Sequence, residues 1–136
     1  MSSQANQLTG RVTGLGGVFF KSKDPEMTQE WYAEHLDLTT PDSATVLLSW
    51  RYDDDPDRRG HTVWAPFDMD SEYFGPGDAP FMLNYRVDDL DAILTRLRAE
   101  GVEVLEKRED SEFGRFGWIV DLDGRRVELW QPPDGS

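Results

Sequence analysis

The chain has 136 residues, 38% of them apolar and 12% aromatic, with five tryptophans and no cysteine. That composition fits one folded domain with a real core and rules out disulfides, thiolate metal sites and thiol catalysis. A net charge of −13, from 27 acidic and 14 basic residues, repels phosphate backbones and anionic lipid headgroups, so neither nucleic acid nor a membrane is expected as a partner.

Residues 1–11 are polar and aperiodic and read as a loose leader. Val12 to Phe20 predicts a strand, with Gly14, Gly16 and Gly17 marking close backbone approach or a bulge. Asp24-Pro25 supplies an N-cap followed by proline at the first helical position. A helix is expected over 26–35, its inner stripe being Met27, Trp31, Tyr32 and Leu36. Ala44 to Tyr52 reads as a strand, Asp53 to Gly60 as an exposed hairpin loop, and Thr62 to Ala65 as the returning strand. The triple aspartate Asp53 to Asp55 lacks the spacing and closing glutamate of a calcium loop. Residues 67–80 have no period and are expected to cross between two halves. Strand 81–87, helix 90–100 and a stop at Gly101 follow. Further strands are expected over 102–107, 117–120 and 126–130, with a tight turn at Asp121 to Gly124. No apolar run approaches the roughly 18 residues of a membrane helix, and no signal-peptide core follows Met1, so a cytoplasmic protein is expected.

The order repeats after about 65 residues. An apolar strand leads to Asp24-Pro25 and a helix in the first copy, and to Asp88-Asp89 and a helix in the second. The chain therefore reads as α+β: two βαβββ modules, 12–66 and 81–133, making one domain over 12–133. The second strand of the first copy is hard to find near Thr39. Alternation gives each strand two faces. One set, including Val18, Phe20, Val63, Ala65, Leu83, Tyr85, Val87, Val127 and Leu129, is hydrophobic apart from the Tyr85 hydroxyl and is expected beneath the helices. The other mixes Phe19, Lys21, Trp64, Met82, Asn84, Arg86, Glu128 and Trp130, as a small-molecule pocket does.

Val18-Phe19-Phe20 through Asp24-Pro25 to Trp31-Tyr32, Val87 to Asp91, Gly114 to Gly117, and Asp121 to Pro132 with Val127-Glu128-Leu129-Trp130 resemble the vicinal oxygen chelate superfamily of glyoxalases, bleomycin-resistance proteins and extradiol dioxygenases. The resemblance spans 12–133 and implies a cupped mixed sheet with the helices packed outside. It also implies four metal-ligand positions, one on each of four strands, which fall here at Gly17, Thr62, Met82 and Glu128. Glycine offers no donor, methionine is a soft thioether, and a neutral threonine hydroxyl is weak for divalent ions. No metal and no other cofactor is therefore expected.

A small, partly apolar or aromatic ligand is expected in the cup, touched by Phe19, Lys21, Trp50, Trp64, Met82, Asn84, Arg86, Arg115 and Trp130. Glu128 is the candidate catalytic residue. As a carboxylate on an apolar wall it must find a cation, hydrogen bonds or a raised pKa. An ion pair with Lys21, Arg86, Arg115 or Arg126 is expected. Arg115, in a polar loop at 111–115, is a candidate carboxylate or phosphate clamp. Tyr73 and Phe74 are candidate pocket walls beside Trp50. Two alternatives remain: a metal-dependent lyase, isomerase or dioxygenase using displaced ligands such as His61, Glu112 and Glu128, and a non-catalytic interaction module. The resemblance also implies a homodimer.

Overall fold

The computed structural model describes residues 10–41 and 43–134. The expected leader lies, apart from Gly10 and Arg11, outside them. Seven strands and two helices follow in the order β1 (Val12–Ser22), α1 (Pro25–Leu36), β2 (Val46–Tyr52), β3 (Asp55–Asp68), β4 (Phe81–Val87), α2 (Leu90–Ala99), β5 (Glu103–Ser111), β6 (Gly114–Val120) and β7 (Arg126–Gln131). They form one mixed sheet, ordered β2-β3-β1-β4-β7-β6-β5. No helix among the described residues is long and apolar enough to cross a membrane.

The two copies meet at the centre of the sheet. β1 and β4 run antiparallel, and their pairs Gly17–Asn84 and Phe19–Met82 exchange when each residue is moved by the Asp24-to-Asp89 interval. Within each copy the first strand pairs in parallel with the last, β1 with β3 and β4 with β7. The helix starts repeat too. Asp24 and Asp89 both hold extended backbone and accept from the amide three residues on, Met27 and Ala92, which satisfies one orphan donor of each helix.

The copies diverge in two ways. Among the described residues the first has no strand matching β5; Thr40 and Ser43 form a bridge there. Its helix also differs: α2 buries Leu90, Ile93 and Leu94 against Val87 and Leu129, whereas α1 buries none of its residues. Of the expected α1 stripe, Met27, Trp31 and Leu36 are exposed, and Tyr32 alone packs inward, against Trp64. Several boundaries differ from the sequence reading, most of all at three connections. The loop expected over 53–60 is mostly strand, because β3 begins at Asp55, paired with Tyr52 across a short turn, and a register shift precedes the Arg51–Arg59 pair. The loop expected over 111–115 is a tight hairpin, with Ser111 paired to Gly114 and Arg115 already in β6. The crossover begins after Asp68, where β3 ends.

Candidate functional site

The sheet curves around a cup whose floor is aromatic. Phe19 from β1, Met82 from β4, Trp118 from β6 and Phe74 from the crossover are buried together, with Val63, Ala65, Phe67, Tyr73, Leu105 and Phe116 packed on them. The crossover folds back into the cup instead of passing over it. Tyr73 stacks on Phe67, ring centres 5.6 Å apart and 7° from parallel, while Phe74 meets Phe67 edge-on. Arg126 holds this segment by donating to the Tyr73 carbonyl at 3.5 Å.

Glu128 projects from β7 into that floor and is 2% exposed. Its carboxylate accepts from the Tyr73 hydroxyl, from Asn84 Nδ2 at 2.5 Å and from Trp118 Nε1 at 3.0 Å. The expected ion pair is absent among the described residues: neither Lys21, Arg86, Arg115 nor Arg126 pairs with Glu128. Three neutral donors do the work expected of a cation. Burial pushes the Glu128 carboxyl above its ordinary range, the Tyr73, Asn84 and Trp118 hydrogen bonds pull it back, and the charge of Glu109 raises it further. The Tyr73 phenol is raised too, mainly by burial and then by the Glu128 charge. Lys107 lies over the Trp118 ring at 4.7 Å and over Tyr73 at 5.8 Å. Sequence reasoning passed over Lys107 and Glu109, yet alternation from Leu105 along β5 puts both on the cup face.

A second polar feature lies further along the same face. Arg86 is 1% exposed and stands opposite Trp130 in the register of β4 and β7. Its guanidinium sits 4.9 Å from the Trp130 ring centre and 5.6 Å from that of Trp50. Nε donates to the Tyr52 hydroxyl at 3.2 Å and Nη1 to the His61 carbonyl at 3.3 Å. Nη2 has no partner, and neither does Asn84 Oδ1. Bare backbone makes this packing possible. A Cβ on Gly16 would collide with Asn84 Oδ1 and come within 3.1 Å of the Arg86 side chain, and Trp50 occupies the space that side chains at Gly14 and Gly60 would fill. Trp50 Nε1 donates to Thr62 Oγ1 at 2.8 Å, and that hydroxyl donates to the Leu15 carbonyl at 2.6 Å. A cleft of about 740 Å³ opens beside Trp50 and Tyr52, bounded also by Gly14, Leu15, Arg58 and Thr62.

Other expected residues lie elsewhere. Trp64 is on the helix side, packed on Phe20 and Tyr32, so the faces of β3 are the reverse of those expected: Val63 and Ala65 line the cup. Both faces of β3 are covered, and apolar Val63 and Ala65 could not tell one from the other. Arg115 turns to α2 and pairs with Asp91 at 2.9 Å, away from the cup. Lys21 lies over Phe74 at 5.5 Å, above the crossover. Trp130 meets the cup through Arg86 and stacks on Phe116, 5.9 Å apart. His35 is exposed on α1 against Trp31 and Glu34, and His61 reaches Arg86 through its backbone carbonyl.

The sheet register also corrects one matched position. Asn84 stands beside Glu128, and the module exchange carries that pair to Phe19 beside Ala65. Ala65, rather than Thr62, is the first copy's counterpart of Glu128. Gly17 and Met82 match each other as expected. Among the described residues no three of His, Asp and Glu gather in an arrangement able to hold an ion.

No curated protein matches the chain. Among solved structures, a methylmalonyl-CoA epimerase in complex with methylmalonyl-CoA and NH4+ has a TM-score of 0.68 at 16% identity, over 93% of this chain and 99% of that one. A single-substitution variant of Streptomyces coelicolor methylmalonyl-CoA epimerase, in complex with 2-nitronate-propionyl-CoA, gives 0.66 at 18%, over 90% and 99%. Methylmalonyl-CoA epimerase from Mycobacterium tuberculosis gives 0.57 at 25%, over 90% and 89%. A family model matches residues 15–129. With that match spanning most of its length, the chain belongs to the Glyoxalase/Bleomycin resistance protein/Dioxygenase superfamily.

Proposed function

We propose that this member of the superfamily binds a small, partly apolar or aromatic molecule without a metal ion and acts by sequestering or carrying it. One observation carries the reading. The four positions related by the module exchange hold Gly17, Ala65, Met82 and Glu128, and the carboxylate of Glu128 is already engaged by Tyr73, Asn84 and Trp118. A glycine and an alanine supply no donor, and a thioether is a poor ligand for hard divalent ions, so these residues do not fit the metal the family implies. The cleft beside Trp50 and Tyr52 offers aromatic walls of the kind a flat apolar ligand covers. Metal analysis of freshly purified protein, then thermal shifts with Zn²⁺, Ni²⁺, Mn²⁺ and Fe²⁺, tests the point. We expect no stoichiometric ion and no stabilisation. An ion present at one per chain, or a rise in Tm reversed by chelator, overturns the reading.

A second reading follows from Glu128 itself. A buried carboxyl raised above its ordinary range is suited to passing a proton to or from carbon. Epimerisation, named in the solved relatives, is chemistry of that type. Incubation with methylmalonyl-CoA in D₂O decides between the two. Exchange at the carbon next to the thioester, lost in Glu128→Gln, establishes the second reading; no exchange leaves the first.

The exposed Met27, Trp31 and Leu36 of α1 favour a homodimer in which a second copy covers that helix. Sedimentation at micromolar concentration tests this, and a monomer that persists there removes it.

A further inference from the structure

We infer that Arg86 anchors a carboxylate, which makes the ligand an aromatic or apolar acid; the inference rests on the binding reading above. Arg86 is a full positive charge almost wholly removed from solvent, and it has no acidic partner among the described residues. A buried guanidinium is costly unless its charge and its five N–H groups are matched. Here the matching is half complete. Two tryptophan faces, one hydroxyl and one carbonyl serve the inner part of the group, and Nη2 is left with nothing.

Arg86 also lies one side-chain layer beneath the cleft. Tyr52 and Trp50 line the cleft, and these same two side chains touch the guanidinium, one by hydrogen bond and the other by its ring face. Gly14, another lining residue, is the register partner of Arg86 across β1 and β4. An acid entering past Tyr52 takes its place on the guanidinium fork, and carboxylate is the group whose geometry that fork matches. Trp50 then supplies the face for the ligand's apolar body. The net charge of −13 works against anions at long range, so the acid is held by this buried contact and not by steering, which makes its affinity only weakly salt-dependent.

Quenching of tryptophan fluorescence by phenylacetate and by 3-phenylpropionate, each set beside its own carboxamide, tests the proposal on the unmodified protein. The acids are expected to quench saturably and to bind at least tenfold tighter than the amides. Arg86→Met removes that preference while Arg86→Lys keeps part of it. Where Arg86→Met does not fold, as judged by circular dichroism, the acid–amide comparison in the unmodified chain decides the matter alone. Acid and amide binding alike overturns the anchor, leaves Arg86 a structural residue with a water on Nη2, and leaves the aromatic-binding reading standing. No saturable quenching by any of the four at millimolar concentration overturns both.

Discussion

The two helices of this molecule begin with the same chemistry and end in different circumstances. Asp24 and Asp89 cap α1 and α2 with the same geometry. Yet α2 presses Leu90, Ile93 and Leu94 into a continuous core, while α1 rests on the sheet mainly through Tyr32. Local sequence sets where a helix starts; burial of its apolar face sets how much it contributes. The second copy thus carries the helix-side core, the first carries Trp50 and Tyr52 beside the cleft, and both contribute to the floor of the cup.

Experiments that press on this difference should show it directly. Leu90→Ala or Leu94→Ala removes fully packed side chains and should cost about 3–5 kcal/mol in urea unfolding; a loss under about 1 kcal/mol would mean α2 is not the stabilising helix. Glu128→Ala leaves the Tyr73, Asn84 and Trp118 donors buried without an acceptor, and a loss of about 2–4 kcal/mol is expected. Asp24→Ala and Asp89→Ala should each cost about 1 kcal/mol, since the caps are alike even though the helices are not. Met27→Ala on α1 should change monomer stability by less than about 0.5 kcal/mol. A larger loss that grows with protein concentration would instead place that residue in a dimer interface.

Glu128 also gives a pH signature. Its carboxyl is raised in the folded state, so the folded chain holds that proton more tightly than the unfolded chain. The stability it contributes is present in full below the ordinary glutamate range and is lost as pH rises through the folded pKa. Asp91 and Asp121 behave oppositely. The hydrogen bond from Arg108 holds Asp91 low, and backbone and side-chain bonds from Arg125 hold Asp121 low, so their contributions fade as pH falls. Both are shared with Glu128→Gln and cancel in a comparison. The stability of the unmodified protein relative to that variant should therefore decline as pH is raised from acid to neutral, by thermal unfolding at matched ionic strength.

The second module was plain in the sequence because each of its signals agrees with the others. Its strand alternates, Asp89 caps, Leu90, Ile93, Leu94 and Leu97 repeat at helical spacing, and Gly101 stops the helix. The first module misled where two covered faces erase the contrast on which alternation depends. That is why Trp64 was expected in the cup and lies under α1. Register was the other hidden quantity. Matching Trp64 with Trp130 sets Thr62 against Glu128, but the first copy runs two residues longer between its paired strands, Phe19 to Ala65 against Asn84 to Glu128, so Ala65 takes that place. Tyr73 and Phe74 sit in a stretch without period, so nothing local announces that it folds inward; only the surplus of aromatics there pointed to the cup. Glu128 was found, but its partners were not, since three neutral donors from three separate elements leave no common spacing.

Among the described residues the first module has no strand to match β5, and the sheet has two unlike margins. β5 ends one side with Glu106, Lys107, Arg108, Glu109 and Asp110, a row of charges that keeps other chains away. β2 ends the other with Val46, Leu47 and Leu48, and its defence there is the Thr40 hydroxyl, which takes up both the amide and the carbonyl of Leu47. One side chain stands in for a whole neighbouring strand. Thr40→Val frees that peptide group and turns β2 into the place where a foreign strand would dock, so self-association of that variant should begin along this margin and leave the charged one untouched.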